Sequence, residues 1–179
     1  IRYFSELEFE NKTISKRIYT QCARALKEDQ ITEDAQWLGV LYGEKLREHY
    51  VADLSIRWIK KDLGHGLFAN KGIELHEFVG EYTGLIRRIE ESNLYCFAYP
   101  GSDFKGYWKH VVDAEKWGNE LRYANHSANP NTEARSVFHN GLLHIVIRAI
   151  KDIEAGAQIT FDYSQSYWDA LGKSPDSSI

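Results

Sequence analysis

Three segments of the chain carry residue types that could do chemistry. Gly64-His65-Gly66-Leu67-Phe68-Ala69 satisfies the loose G-x-G-x-x-G/A fingerprint, but that fingerprint holds a pyrophosphate only when a helix follows at once. Asn70-Lys71-Gly72 follows here, so a dinucleotide fold is not expected. The glycines either permit a tight turn between strands or let backbone approach some other small ligand. Arg122-Tyr123-Ala124-Asn125-His126-Ser127-Ala128-Asn129-Pro130-Asn131 is polar and turn-rich between apolar runs. Its amides and imidazole supply donors and acceptors suited to a polar cofactor, yet the same residues could simply cap their own loop. Thr160-Phe161-Asp162-Tyr163 ends an apolar run in two aromatics, which read alone is plain core packing. Asp162 between those rings fits a structural hydrogen bond or ion pair better than proton transfer. His139 and His144 flank a turn and could meet across strands, but two imidazoles without a third ligand do not make a metal site, and no metal is expected.

The elements that must position these residues change character along the chain. The first fifty residues have helical periodicity, with Ile14, Ile18, Cys22, Ala25 and Leu26 on one face and Leu38, Leu41, Tyr42, Leu46 and Tyr50 on another. Thr32 before Glu33 and Asp34 marks a helix start. From Leu54 the period becomes two: Leu54, Ile56 and Trp58 alternate with polar neighbours, and Leu94, Cys96 and Ala98 alternate with Tyr95, Phe97 and Tyr99. Asn140-Gly141 predicts a type I′ hairpin between Val137-Phe138-His139 and Leu142 to Ile147. After Glu154-Ala155-Gly156 a last strand is expected from Gln158 to Tyr163. Glycines at 64, 66, 72, 80, 84, 101 and 106 punctuate the middle, so the expectation is many short strands rather than βαβ units.

Composition narrows the function class. With 179 residues, 43% apolar and 13% aromatic, the chain can bury one sizeable core. No run is long enough to span a bilayer, and a soluble, intracellular protein is expected, nucleus (a host nucleus included) and cytoplasm both remaining open. Cys22 and Cys96 are too few for a disulfide framework or a thiolate zinc site. A net charge of −4 argues against a DNA-binding domain, which needs a cationic field, and is compatible with a basic peptide.

Taken together and in order, GHGLFA (64–69), EYTG (81–84), DAEKWGNELRYANHSANPN (113–131) and GAQITFDY (156–163) closely resemble the SET-domain lysine methyltransferases. The resemblance covers residues 53–168, after an N-terminal helical segment (1–52) and before a closing tail (169–179) whose end, Ser174 to Ile179, is expected to be mobile. It implies a mainly β fold of small curved sheets with a C-terminal pseudoknot formed by the Asn-His-Ser segment and the last strand. It further implies S-adenosyl-L-methionine as cofactor and a protein substrate with an accessible lysine, a histone tail being the leading candidate, with no direct nucleic-acid or membrane partner. By motif, Leu63, Gly64, His65, Gly66 and Leu67 would contact the cofactor through backbone, Asn125 and His126 would hold its two ends, and Tyr123 would pack beside it. Tyr163 would be the catalytic tyrosine, Tyr82 and Phe161 would line the lysine channel, and Phe161 in place of Tyr suggests di- or trimethylation. The tail has no cysteine and Ala128 stands where many members have one, so no closing zinc can form. Tyr167-Trp168-Asp169-Ala170-Leu171 is expected to close the site instead, with Trp168 against the cofactor. The N-terminal helices are expected to act as a scaffold or a homo-oligomer contact. Other readings stay open: a SET-like binding module without turnover, and a methyltransferase for a non-histone protein or for small amines.

Overall fold

The first helix begins where Asn11 accepts the Ile14 N–H, and the second where Thr32 accepts the Ala35 N–H with Glu33 and Asp34 in the first turn, each cap satisfying a donor the helix cannot. Both stop alike. Asp29 and His49 take positive φ of 52° and 50°, and the chain folds back so that Gln30 N–H meets Ala25 O and Tyr50 N–H meets Lys45 O, each at 2.9 Å, a Schellman closure built without glycine. The computed structural model describes residues 2–90, 93–101, 104 and 109–171.

In chain order the elements are β1 (Arg2–Tyr3), β2 (Glu8–Phe9), α1 (Lys12–Lys27), α2 (Glu33–Arg47), β3 (Leu54–Lys60), β4 (Gly64–Ala69), β5 (Phe78–Glu81), β6 (Gly84–Arg88), β7 (Cys96–Ala98) and β8 (His110–Gly118). A 3-10 turn (Glu120–Tyr123) then leads to β9 (Asn125–His126), β10 (Thr132–His139), β11 (Leu142–Ala149), β12 (Gln158–Phe161) and α3 (Gln165–Leu171). Among the described residues the strands form three small sheets. They run β1-β8-β6-β2 with β7 added to β8, then β10-β11-β5, then β3-β4-β12-β9.

The hairpin forms as expected, with Asn140 and Gly141 at φ 48° and 80° and β10 and β11 in register from Thr132↔Ala149 to His139↔Leu142. Two joins are long-range. The terminal strands β1 and β2 pair in parallel with β8 and β6, and β12 pairs antiparallel with β4 and in parallel with β9. The second join is the knot. Asn131 locks it: its Nδ2 donates to Gln158 O at 2.8 Å and its Oδ1 accepts Thr160 N–H at 2.9 Å. Thr132 Oγ1 adds a bond to Thr160 O at 2.9 Å.

Residues of α1 share one buried cluster with the sheets, from Ile14, Ile18, Cys22 and Ala25 to Leu67, Val112, Ile147 and Ile159. Helix α2 presses on β10 through its smallest residues: a Cβ on Gly39 would lie 1.8 Å from Phe138 O. Its inward face is therefore Ala35, Leu38, Gly39, Tyr42, Gly43 and Leu46, which turns Leu41 outward, 50% exposed, against the expectation that it faces the core. Leu26 and Tyr50 are likewise at the rim, 37% and 36% exposed, because each falls where its helix is already unwinding. On β3 the expected alternation exists, yet Ile56 and Trp58 lie on the exposed side. The strand expected from Leu94 begins only at Cys96, and the last strand ends at Phe161, with Ser164 at φ 69° turning the chain into α3. The tail end at Ser174 to Ile179 and Gly106 lie outside the described residues.

Candidate active site

The knot fixes what the sequence alone leaves apart. Parallel pairing of β9 with β12 sets Asn125 opposite Thr160 and His126 opposite Phe161, and the chain then carries Tyr163 back under Ala124. Tyr163 Oη donates to Ala124 O at 2.9 Å, and its backbone N–H donates to His126 Nδ1 at 3.3 Å. In that bond Nδ1 serves as the acceptor nitrogen of the ring. Asp162 Oδ1 lies 3.6 Å from the same nitrogen but accepts Ser164 N–H at 2.9 Å, a turn-forming role rather than a proton-transfer one.

Around Tyr163 the aromatic side chains form a continuous wall. Ring centroids are 4.8 Å apart from Tyr163 to Phe161, 6.0 Å from Phe161 to Phe97, and 5.4 Å from Phe97 to Tyr82. On the other side Tyr167 lies 4.6 Å and Trp168 5.9 Å from Tyr163, and Trp168 also meets His126 at 5.1 Å. Helix α3 thus covers the knot, and Tyr167 Oη ties it to Leu94 O at 3.1 Å. Tyr82 Oη donates to Tyr95 O at 2.8 Å. Burial is the main cause holding the phenols of Tyr163 and Tyr82 well above the ordinary tyrosine range, and it pushes Tyr167 up to about 12. At neutral pH all three keep their protons and act as donors, not bases.

The glycine segment approaches from the opposite side. Asn125 Nδ2 donates to His65 O at 3.2 Å, and a Cβ on Gly66 would meet the side-chain ends of Ile59, Gln158 and Asn125 at 2.5, 2.9 and 3.2 Å, so any larger residue there would have to displace Asn125 and Gln158. Strand β12 pairs with Leu67 and Phe68 but not with Gly64 to Gly66, where the Asn125 amide takes the backbone oxygen of His65 instead. His65 is exposed, edge-on to Trp58 at 5.2 Å and to Tyr123 at 6.0 Å. Leu63 sits in the preceding turn, its N–H on Lys60 O at 3.2 Å. Leu67 differs from its neighbours: its side chain is fully buried and it pairs with Ile56 on one edge and Ile159 on the other. Among the described residues two buried donors have no partner: Gln158 Nε2, which faces Gly66, and Trp168 Nε1, on the ring that meets His126 and Tyr163.

The expected site residues therefore converge from three directions: Leu63 to Gly66 with Tyr123, then Asn125 and His126, then Tyr82, Phe161, Tyr163 and Trp168. Sequence reasoning did not single out Phe97, Tyr95 or Gln158 for the site, and it marked Asn131 only as part of the polar segment ending there. A usable signal was the alternation of Tyr95, Phe97 and Tyr99, which sets Tyr95 and Phe97 on one face of their strand. His139 and His144 do approach, rings 6.2 Å apart, but His144 Nδ1 is taken by Glu81 Oε1 at 2.6 Å. Among the described residues no group of three His, Cys, Asp or Glu is placed to hold a metal ion.

A SET domain family model matches residues 64–164. The chain is 34% identical over 122 residues to the histone-lysine N-methyltransferase 2B of Homo sapiens, covering 63% of this chain and 4% of that protein. Among solved structures it is similar to a humanized mutant of the Chaetomium thermophilum Polycomb Repressive Complex 2 bound to an inhibitor. That likeness has a TM-score of 0.58 and 30% sequence identity, over 66% of this chain and 16% of the other. The chain thus spans only a small part of either relative's length.

Proposed function

The chain belongs to the SET-domain family, and from that premise we propose that it methylates lysine side chains of a protein substrate using S-adenosyl-L-methionine. The observation that carries this reading is the junction of the aromatic wall with the glycine cradle at Tyr163, whose hydroxyl is held on Ala124 O next to Asn125 and His126. The cradle suits the cofactor: the backbone of Gly64 to Gly66 is not paired by β12, the Asn125 amide is fixed on His65 O beside it, and two buried donors without partners among the described residues, Gln158 Nε2 and Trp168 Nε1, await acceptors. When bound, the cofactor supplies a methyl carbon on positive sulfur, so that the lysine nitrogen's electron pair forms the N–C bond as the C–S pair stays on sulfur.

The chain's own residues then have three tasks. Tyr82, Phe97 and Phe161 exclude water from the lysine, and that desolvation favours its neutral form. This matters because a free lysine, with a pKa of about 10.4, is almost wholly protonated at neutral pH; its proton leaves to solvent. Tyr163 gives its hydrogen to Ala124 O, which leaves its oxygen lone pairs to orient the methyl group by weak C–H···O contact. The ring faces of Tyr82 and Phe161 favour the methylated ammonium by cation–π attraction.

The net charge of −4 and the likeness to a human histone-lysine N-methyltransferase support a basic histone tail as substrate. Phe161 supports more than one methyl per lysine, since its ring adds no hydroxyl to the channel. Incubation with methyl-labelled S-adenosylmethionine and core histones, ribosomal proteins and free lysine tests the reading. Label on a protein is expected, lost about a hundredfold in Tyr163→Phe or Asn125→Ala. Label on free lysine alone would replace the protein substrate with a small amine, and absence of both label and cofactor binding would leave a binding module.

A further inference from the structure

Arg122 is 8% exposed, at the point where the two halves of the site meet. Its Cζ sits 3.9 Å over the Tyr95 ring and 5.3 Å from that of Tyr123. Tyr95 in turn accepts the Tyr82 hydroxyl through its carbonyl, and Tyr123 packs on His65 of the glycine segment. The guanidinium has one hydrogen bond, Nη1 to Glu115 O at 2.7 Å, while Nε is buried without a partner. No carboxylate among the described residues forms an ion pair with it. A guanidinium remains charged under all ordinary conditions, and burying one with so few partners is unfavourable. A group held at such a cost calls for a reason beyond packing.

We propose that Arg122 is a positioning residue whose fixed positive charge, stacked behind the Tyr95–Tyr82 wall, excludes the ammonium form of the substrate lysine from the channel. This rests on the methyltransferase reading above. A second cation entering beside Tyr82 is repelled, whereas the neutral amine is not. Methyl transfer carries positive charge from sulfur onto the nitrogen, and only part of it has arrived in the transition state, so Arg122 penalises the full charge of an entering ammonium more than the partial charge of the transition state. The titratable groups facing this region are few. The Tyr82 and Tyr163 phenols, raised by burial, are neutral at pH 7, and Tyr95 and Tyr123 face the guanidinium with their rings. Asp113 is engaged by Arg87 and Asn93, and Cys96 contacts Arg87. Glu120, two residues before Arg122, shares an interaction with Tyr3 and has a buried Oε2 that is unpartnered among the described residues; Glu115, whose backbone oxygen accepts from Arg122, and Asp113, which acts on Tyr82 in the opposite sense to Arg122, are the other carboxylates to be weighed against its charge. That Arg122 acts on Tyr82 by favouring its ionised form agrees with a field reaching the channel.

The test separates charge from shape. Arg122→Gln keeps a planar group over Tyr95 without charge, and Arg122→Lys keeps charge without the plane. Rate against pH on a histone peptide is expected to show the acid limb of Arg122→Gln moved up by about one pH unit, a loss of about tenfold at pH 7 that shrinks at high pH. Arg122→Lys should return the limb toward wild type. As a readout that needs no turnover, the bound peptide's lysine, labelled with carbon-13 at Cε, should titrate higher in Arg122→Gln than in wild type. Equal losses at every pH in both variants, with the limb and the lysine titration unmoved, would overturn the proposal and leave Arg122 structural. A wild-type protein that methylates nothing would instead remove the reading on which the proposal stands.

Discussion

At the scale of single residues, the site is decided by where hydroxyls are and are not. Tyr163 and Tyr82 both spend their hydrogens on backbone carbonyls, Ala124 O and Tyr95 O, whereas Phe161 and Phe97 offer bare ring edges between them, stacked at 6.0 Å. A hydroxyl placed on Phe161 would have to find a partner in this wall or hold a water, and either narrows the space for a methylated nitrogen. Phe161→Tyr is therefore expected to shift the product from di- or trimethyl-lysine toward monomethyl-lysine, measured by mass spectrometry of the peptide; an unchanged product distribution would show that channel width is set elsewhere. Tyr163, Asn125, His126 and Phe161 were legible in the sequence because each stands in a motif of fixed spacing. Phe97 and Tyr95 were not, since a ring's neighbours across 60 residues of chain are set by strand pairing that no local pattern records.

At the scale of elements, helix α2 shows how backbone proximity, not side-chain size, chooses the buried face. Periodicity correctly marked Leu38, Tyr42 and Leu46, all 5% exposed or less, but it promoted Leu41 over Gly39 because a hydrophobicity pattern gives a glycine no weight. The glycine matters most where β10 comes nearest. Gly39→Ala would drive a methyl group to 1.8 Å from Phe138 O, a backbone atom that cannot rotate away. The helix must then lift from the hairpin, at a cost of about 1–3 kcal/mol, visible as a lower denaturant midpoint at unchanged slope. A midpoint equal to wild type would mean that α2 shifts along the hairpin without loss. The hairpin itself was fully legible, since Asn140-Gly141 dictates its turn and hence its register. The two-residue strands β1 and β2 were not, because segments so short have no period and owe their pairing to the sheet edge they reach.

At the scale of the whole molecule, helix α1 and the strands share one buried cluster while Leu38, Tyr42 and Leu46 of α2 form a second with Phe78, Val137 and Val146, and several weak acids are enclosed in the first or beside it. Burial is the leading cause raising the phenols of Tyr82, Tyr99, Tyr163 and Tyr167 and the thiols of Cys22 and Cys96 above their ordinary values. Cys22 Sγ and Tyr99 Oη even share a contact at 3.9 Å between α1 and the strand region. A group raised in the folded state stays protonated there while the unfolded chain ionises, so the unfolded state binds fewer protons and stability falls as pH rises. The contribution is fully present below the unfolded values, about 8.5 for thiols and about 10 for phenols. It is lost progressively above them, up to the raised values, about 12 for Tyr167. The melting temperature is thus expected to be flat through neutral pH, to fall first with the thiols, and to fall more steeply above pH of about 10 as the four phenols join. Phenolate absorbance from these tyrosines should appear together with unfolding and not before it. A melting temperature that held steady to pH of about 11, or phenolate signal from all of the tyrosines in a protein still folded, would show that the aromatic wall admits hydroxide and water, and with it the desolvation assigned to the lysine channel would lose its physical basis.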